Sequence, residues 1–342
     1  MNTVRHGFGY AIVALFVAAS PLSSQVQAQA FRLVPGVELG ELDGSSPSVF
    51  GVVADITVAR NGSFYVLDPM RHRVTLFSRA GEFVATAGKS GRGPGDFFMP
   101  RSLAIDAQER VFVLDAGNQR IEIYEGTGDR LERRGGFRLD FPANDLCAAG
   151  NRLFLLGYRE GSIIHEYRID GSRVRSFGGG HEPHHPLLRI SLSRGSLTCV
   201  ESRDVLVFLP SLLPVVHAFS AVTGAELWRS NIPAYDAVEI EHGPNNRITY
   251  STRGGGGHHY GSKVVPLDRD YALLQIGKLG PGTTDPYTFV QIDSYMVALT
   301  TGRVQRLERQ LPRILTARGD KVYAAPDDPF PKVRQYQLQP PR

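Results

Sequence analysis

A stretch of 32 residues occurs twice in succession, and this repeat constrains the fold more than any other feature of the chain. Residues 55–86 read DITVARNGSFYVLDPMRHRVTLFSRAGEFVAT, and residues 102–133 read SLAIDAQERVFVLDAGNQRIEIYEGTGDRLER, without a gap at an offset of 47 residues. Each copy contains four short runs of β-forming residues separated by turn residues such as Asn61-Gly62. Successive hairpins of this kind form one radial sheet, so the repeat predicts sheets arranged around an axis.

Four weaker copies follow, and the chain is predicted to contain six such sheets. We therefore expect an all-β fold, a six-bladed β-propeller that occupies residues 31–342 as one domain. The 37 glycines and 22 prolines suit a chain of short strands and tight turns. The blades are expected at residues 50–90, 100–138, 144–180, 195–232, 236–278 and 312–338.

The last of these blades is one strand short. Residues 31–43 contain a β-like run, FRLVPGVELGEL, that has no other blade to join. We expect this N-terminal strand to complete the C-terminal blade, because an unpaired edge would leave the ring open at one seam. Residues 277–311 fit no blade, and Val304, Leu307 and Leu311 have a helical spacing, so this segment is predicted to be an excursion between blades with a short helix.

Residues 1–30 have the three zones of a secretory signal peptide. Arg5 lies in the first zone, residues 8–19 form an apolar run, and the zone that follows ends in AQA, the small-x-small pattern of a cleavage site. Cleavage is expected after Ala30. The mature protein is expected in the periplasm or outside the cell, without membrane insertion, because no later apolar run has the length of a membrane span.

The second and third strands of the first two copies carry a recognisable motif. Residues 65–77 read YVLDPMRHRVTLF, and residues 112–124 read FVLDAGNQRIEIY. These segments resemble the NHL repeat. The connection between the copies, GKSGRGPGDFFMPRSLAID, looks like the glycine-rich connection of that family and of the exported bacterial six-bladed propellers. The resemblance implies the fold and carries no activity with it.

Four polar residues recur at equivalent positions of these two copies. Asp68 and Asp115 end the second strand, and Arg73 and Arg120 begin the third. We expect structural roles for all four, because an Asp carboxylate at this position accepts backbone N–H groups of the following turn. The two arginines are expected to brace neighbouring blades.

Cys147 and Cys199 are the only cysteines, and export would permit a disulfide between them. Both are predicted at the same first-strand position of consecutive blades. Side chains at equivalent positions point in the same direction around the ring. One cysteine would therefore face the blade of the other cysteine, while that second cysteine would point away from the first, so a disulfide is not expected. We therefore expect two buried thiols.

Histidines near the fifth blade suggest an alternative that involves a metal ion. Exported six-bladed propellers of the peptidylamidoglycolate lyase type hold zinc and calcium in the central cavity, and sugar-lactonase relatives hold one divalent ion. Similarity to these proteins implies a metal-dependent lyase or lactonase that acts in the central channel. In this alternative His242, His258 and His259 would bind Zn or Ca, and Asp236 or Glu241 would act as acid or base.

The leading hypothesis is a non-catalytic binding or scaffold propeller that needs no cofactor and recognises a protein, peptide or glycan on one face. It follows from the absence of a complete catalytic motif, such as the G-x-S-x-G elbow of serine hydrolases, from the sequence. Propellers carry function on their loops, so the fold leaves the ligand open. A nucleic-acid partner is not expected, because the 38 Lys and Arg are scattered among 34 Asp and Glu without a basic run.

Overall fold

The computed structural model of the chain describes residues 32–180, 186–242, 248–251, 257–280 and 289–339. The predicted signal peptide, residues 1–30, lies outside the described residues. The described residues are mostly β-strands, and their arrangement confirms the all-β, six-bladed propeller.

Six antiparallel sheets of four strands form the blades. In the first five blades the four strands follow one another in the sequence, from the axis outward. The strands of blades one to three are β2 (Asp55–Val58), β3 (Phe64–Asp68), β4 (Arg73–Phe77) and β5 (Phe83–Ala87); β6 (Pro100–Ile105), β7 (Arg110–Asp115), β8 (Arg120–Thr127) and β9 (Arg130–Arg138); β10 (Asp145–Ala149), β11 (Arg152–Arg159), β12 (Ser162–Arg168) and β13 (Arg173–Gly179). Those of blades four to six are β14 (Gly195–Val200), β15 (Val205–Pro210), β16 (Val215–Ser220) and β17 (Glu226–Asn231); β20 (His259–Pro266), β21 (Tyr271–Lys278), β22 (Gln291–Ala298) and β23 (Val304–Arg306); β24 (Ile314–Arg318), β25 (Lys321–Ala324), β26 (Val333–Gln339) and β1 (Arg32–Leu39).

The first strand of each blade contacts the first strand of the next blade, and β24 contacts β2, so that the ring is closed around its axis. The hydrophobic core lies between adjacent sheets. At the junction of blades six and one, for example, the rings of Phe64 and Tyr323 lie 5.2 Å apart and are fully buried with Phe77. Each blade buries both of its faces in this way, which explains why the middle strands are apolar at nearly every position.

The N-terminal strand β1 completes blade six, as predicted. It pairs antiparallel with β26 from Arg32 opposite Gln339 to Leu39 opposite Val333. Lys332 Nζ lies 3.3 Å from the Glu38 carboxylate at the end of this ladder. The two ends of the described chain thus share one sheet.

The predicted bounds of the fifth blade are wrong. Its sheet is formed by β20 to β23, so residues 277–311 supply its last two strands rather than an excursion with a helix. The spacing of Val304, Leu307 and Leu311 was misleading because these side chains serve two different cores. Val304 packs between blades four and five, whereas Leu307 and Leu311 pack between blades five and six.

An insertion before the fifth blade contributed to the same error. β18 (Glu239–His242) and β19 (Ile248–Ser251) form a separate two-stranded hairpin in the connection that leads to β20. Their residues have the alternating pattern of strands, and this pattern is the same for a hairpin outside the blades as for one inside a blade. The sequence pattern therefore placed the blade one hairpin too early.

The expectation of two free thiols is also wrong, because Cys147 and Cys199 form a disulfide. Their Cα atoms lie 5.6 Å apart, within the range that a disulfide spans. The two cysteines are not at equivalent positions, because Leu197 N donates to Asp145 and thereby places Asp145 level with Ser196. Cys147 lies two residues after Asp145, whereas Cys199 lies three residues after Ser196. Side chains alternate along a strand, so the two sulfur atoms face each other in the core between blades three and four. The bond joins the first strands of blades three and four.

The two faces of the ring have connections of very different length. On one face, which we call the turn face, the first strand of a blade is joined to the second, and in blades one to five the third to the fourth, by turns of two to five residues such as 59–63. The opposite face, which we call the loop face, carries the connections between second and third strands, such as 69–72, and the connections 40–54, 88–99 and 232–258, the last with the β18–β19 hairpin. All long connections of the described fold therefore emerge on one side of the ring.

The helical content of the described residues is small. The connection between blades three and four contains α1 (Pro186–Leu192), and two single turns of 3-10 helix occur at Ala116–Asn118 and Glu201–Arg203. None of the helices in the described part has the length and hydropathy that a membrane-spanning helix requires.

Candidate functional site

An axial channel is lined by all six first strands. Three consecutive residues of β2, β6, β10 and β14 face its central cavity together with residues of β20 and β24. Because every blade contributes to it, the channel can combine groups that lie far apart in the sequence.

Six polar side chains occupy equivalent positions near the beginning of the first strands, and we call them the polar ring. The members of the polar ring are Asp55, Ser102, Asp145, Ser196, Lys263 and Arg313. All are buried except Lys263, whose side chain is 18 % exposed.

A repeated hydrogen bond shows that these positions are equivalent. In blades two, four and five, the N–H group of the residue after the ring member donates to the ring member of the preceding blade. Leu103 N donates to Asp55 Oδ2 at 2.9 Å, Leu197 N to Asp145 Oδ2 at 2.8 Å, and Val264 N to Ser196 Oγ at 3.2 Å. The polar ring thereby joins adjacent blades at the axis, where each side-chain acceptor satisfies a buried backbone donor.

The ring member of blade five is Lys263, which cannot accept a hydrogen bond from the N–H group of the next blade. Another residue of blade five accepts this bond instead. Gln275, on the second strand of that blade, accepts the N–H of Ile314 through Oε1 at 2.6 Å. Lys263 instead places Nζ 2.8 Å from Asp55 Oδ1, across the axis. The ring position of blade five is therefore free to carry a positive charge.

The charges of the polar ring are strongly coupled. Burial lowers the pKa of Lys263, but the carboxylates of Asp55 and Asp145 outweigh this effect and hold the pKa above its usual value. Burial raises the pKa of Asp145, and the charge of Lys263 only partly opposes this. Ser102 Oγ lies 3.0 Å from Asp55 and 2.5 Å from Asp145, so one hydroxyl connects both carboxyl groups.

The repeated Asp and Arg residues hold the connections of the loop face. Asp68 accepts the N–H groups of Gly51 at 2.8 Å and of Arg71 at 3.1 Å, and Arg73 donates to two carbonyls of connection 40–54. Arg73 thus holds the connection that leads from blade six into blade one, the blade to which Arg73 itself belongs.

The second copy repeats this arrangement. Asp115 accepts the N–H of Phe98 at 2.8 Å, and Arg120 donates to the carbonyls of Gly93 and Asp96 at 2.7 Å each. Burial raises the pKa of Asp115, while Asn118 and Arg120 oppose the shift. Connection 88–99 is therefore held in one conformation rather than left free.

The residues predicted for metal chemistry are only partly described. His258 is half-buried, and burial lowers its pKa. Glu241 and His242 lie on β18, where the backbone but not the side chains belongs to the described part. Among the described residues, no three His, Cys, Asp or Glu side chains are grouped as a metal site would require.

His259 is buried beside Asp236 and Asp293, but both of its ring nitrogens are engaged. Nδ1 accepts the N–H of Asp236 at 2.7 Å, and Nε2 lies 3.5 Å from Asp293 Oδ2. A metal ligand needs a free imidazole lone pair, and the lone pair of Nδ1 is already used. The surroundings of His259 thus do not fit a ligand role.

Two buried histidines predict that the protein loses stability in acid. Burial lowers the pKa of His165 and of His259. Their pKa values in the unfolded chain are near the ordinary value of about 6.5, so the unfolded state binds more protons once the pH falls below about 6.5. We expect the free energy of unfolding, measured in urea, to decrease from pH 7.5 to pH 5. Replacement His165→Gln should reduce this dependence, and an unchanged profile in that variant would contradict the assignment.

The polar ring was not predicted from the sequence, although a signal was present. The gapless alignment of the first two copies places Asp55 opposite Ser102. The residue type alternates between Asp and Ser in blades one to four and changes to Lys and Arg in blades five and six, so that no single residue type marks the position. Only the shared register of the first strands shows that these side chains meet.

Comparisons with known proteins agree with this architecture. Residues 42–166 match the family described as DUF5128, a 6-bladed beta-propeller. Human NHL-repeat-containing protein 4 is 34 % identical over 88 residues, which cover 26 % of this chain and 67 % of that protein. The chain belongs to the NHL-repeat family of six-bladed β-propellers. Mouse NHL repeat-containing protein 3 is 32 % identical over 92 residues. This match covers 26 % of the mouse protein and 26 % of this chain.

Solved structures extend the likeness of this NHL-repeat propeller to nearly the whole chain. A protein from Bacteroides fragilis aligns with a TM-score of 0.59 at 10 % identity, covering 92 % of this chain and 98 % of that one. A DUF4221 family member from Bacteroides vulgatus aligns with a TM-score of 0.55 at 9 % identity, covering 91 % and 98 %. Virginiamycin B lyase from Staphylococcus aureus aligns with a TM-score of 0.50 at 11 % identity, covering 90 % and 100 %. At these identities the likeness concerns the fold alone.

Proposed function

We propose that the chain is an exported, non-catalytic binding protein that recognises a protein or peptide on the loop face of the propeller. The observation that carries this proposal is the contrast between the two faces. One face consists of turns with two to five residues, whereas the other holds every long connection of the described fold. Export is supported by the signal-like residues 1–30.

Exposed apolar side chains on the loop face support the same role. Met70 is 67 % exposed and Met99 61 % exposed, and the ring of Phe98 lies beneath the guanidinium of Arg92, 5.5 Å away. Methionine, aromatic and arginine side chains are enriched in protein interfaces. The composition of this group therefore suits contact with a protein partner.

Met99 also has an unusual backbone. Its φ angle is 54°, in the left-handed region that favours glycine. The bond from Phe98 N to Asp115 fixes the preceding residue, so the connection presents Met99 at a defined place. Strained residues held by their surroundings are concentrated at functional sites, and a preorganised loop loses less entropy on binding.

Photo-crosslinking from the two faces tests the proposal. The photoreactive residue p-benzoylphenylalanine is placed at Met99 on the loop face or at Val222 on the turn face, which is 59 % exposed and serves as the matched control. After irradiation of cells of the source organism, we expect a discrete adduct from Met99 that protease digests, and none from Val222.

The other outcomes are equally informative. Equal adducts from both positions, or none from Met99, would overturn the loop face as the binding face. An adduct from Met99 that resists protease but is cleaved by glycosidases would replace the peptide ligand with a glycan.

A further inference from the structure

A second cavity lies where the channel opens on the loop face. Its volume is about 80 Å³, and Arg101, Asn144, Tyr260 and Ser262 line it together with members of the polar ring. Pockets that enclose a whole drug-sized ligand measure about 300 to 1,000 Å³. This cavity therefore has room for one functional group at the end or side of a larger ligand.

Two β-bulges direct side chains into this cavity. In β6 the pairing shifts between Pro100 and Ser102, which leaves Arg101 as the extra residue. In β20 the pairing shifts between Gly261 and Lys263, which leaves Ser262 as the extra residue. A bulge re-aims a side chain at the cost of ladder pairing, and bulges are frequent next to binding sites.

The lining, taken together with the Asp55 carboxyl group that is paired with Lys263, has more cationic than acidic side chains. The cations are Arg101, Lys263 and Arg313, and the acids are Asp55 and Asp145. Lys263 and Arg313 can balance the two carboxylates. Arg101 is half-buried and makes no hydrogen bond or ion pair with any residue in the described ranges. A ligand with a negative charge would therefore improve the balance of charge at this cavity.

The hydrogen-bonding capacity of the lining points the same way. Both oxygens of Asp145 accept protein donors, one from Leu146 N at 2.9 Å and the other from Leu197 N. Asn144 Oδ1 accepts the N–H of Gly195 at 3.2 Å, which leaves its NH₂ group to donate. Ser196 Oγ accepts a backbone N–H, so its own proton is available. Donors of the lining therefore remain for a ligand rich in acceptor oxygens.

We propose that this cavity binds a carboxylate of a peptide, either the C-terminal group or an acidic side chain, with Arg101 as its principal partner. A carboxylate has one charge and two acceptor oxygens, and it pairs with the planar guanidinium through two parallel bonds. The proposal rests on the proposed function, because the rest of the peptide would lie on the loop face.

Small model compounds test the site without knowledge of the natural partner. Binding of N-acetyl-Ala-Ala, which has a C-terminal carboxylate, and of N-acetyl-glutamic acid α-amide, which has a side-chain carboxylate, is measured by saturation-transfer NMR. Their matched neutral compounds are N-acetyl-Ala-Ala amide and N-acetyl-glutamine amide. We expect the acids to bind and the amides not to bind, and the stronger acid identifies which carboxylate the site prefers.

Two arginine variants complete the experiment. Arg101→Gln should weaken binding of the acids by about tenfold or more, because one charged partner is lost. Arg79→Gln is the charge-matched control, since Arg79 is exposed on the turn face and should leave the affinity unchanged. Melting curves of both variants verify that they are folded.

Several results would overturn the carboxylate site. These are equal binding of acids and amides, unchanged affinity in Arg101→Gln, or displacement of the acids by inorganic phosphate at lower concentration than by acetate. None of them removes the loop face as a binding surface, because the adduct at Met99 is an independent measurement. Loss of the adduct with retained carboxylate binding would instead overturn the proposed function.

Discussion

A protein without residues 32–39 is expected to lose cooperative folding, because β1 holds the last blade to the first. Leu33 packs on the core between blades five and six, and Leu39 packs on the core between blades six and one. Val37 and Leu39 also contact the turn at Gly81 in blade one, where a side chain would clash. Removal of β1 exposes both cores and the backbone edge of β26.

The expected loss in the free energy of unfolding exceeds about 5 kcal/mol, which is comparable to the whole stability of many domains. Circular dichroism during thermal unfolding and light scattering measure it. The variant Glu38→Gln is the control, because it removes the exposed ion pairs with Lys332 and Arg334 but keeps the strand. This control should cost less than about 1 kcal/mol. A truncated protein with the melting temperature of the full chain would show that β1 does not close the ring.

Removal of the disulfide is the second large expected effect. The two cysteines are 52 residues apart in the sequence. For a loop of this size, the lost chain entropy of the unfolded state stabilises the protein by about 4 kcal/mol. Guanidinium unfolding of the double variant Cys147→Ser, Cys199→Ser should show a loss of this order. The bond also holds blades three and four together at the axis, so the loss should be cooperative across the ring.

The variant Ala148→Ser is the control. It introduces a serine hydroxyl into the same channel wall but keeps the disulfide. Thiol titration of the denatured, unreduced protein gives a direct chemical measurement. We expect no reactive thiol before reduction and two afterwards. Two reactive thiols before reduction would contradict the disulfide.

The fold could be predicted where each copy of the repeat is complete. The gapless alignment of residues 55–86 with 102–133 predicted the four strands of a blade. The unassigned strand near the N-terminus predicted that β1 completes blade six. Blade five could not be delimited, because the β18–β19 hairpin has the periodicity of a blade strand and precedes the true first strand. Periodicity identifies strands but not the sheet to which they belong.

The site was less predictable than the fold, for geometric reasons. The disulfide was missed because Cys147 and Cys199 were assumed to lie at equivalent positions of their strands. The structure places them one position apart in register, so their side chains face each other between blades three and four. Arg101 was missed because a bulge, which no residue pattern marks, directs it into the channel. The clustered histidines suggested metal ligands, but the ring nitrogens of His259 are engaged by Asp236 and Asp293.

A closed ring of six sheets holds the connections of the loop face in a fixed arrangement. Hydrogen–deuterium exchange, followed by mass spectrometry, measures the closure of this ring through the amides of β1 that face β26. We expect these amides to exchange as slowly as those of β25 and β26, through global unfolding only. Exchange of β1 within seconds, while β25 and β26 remain protected, would contradict the closed ring.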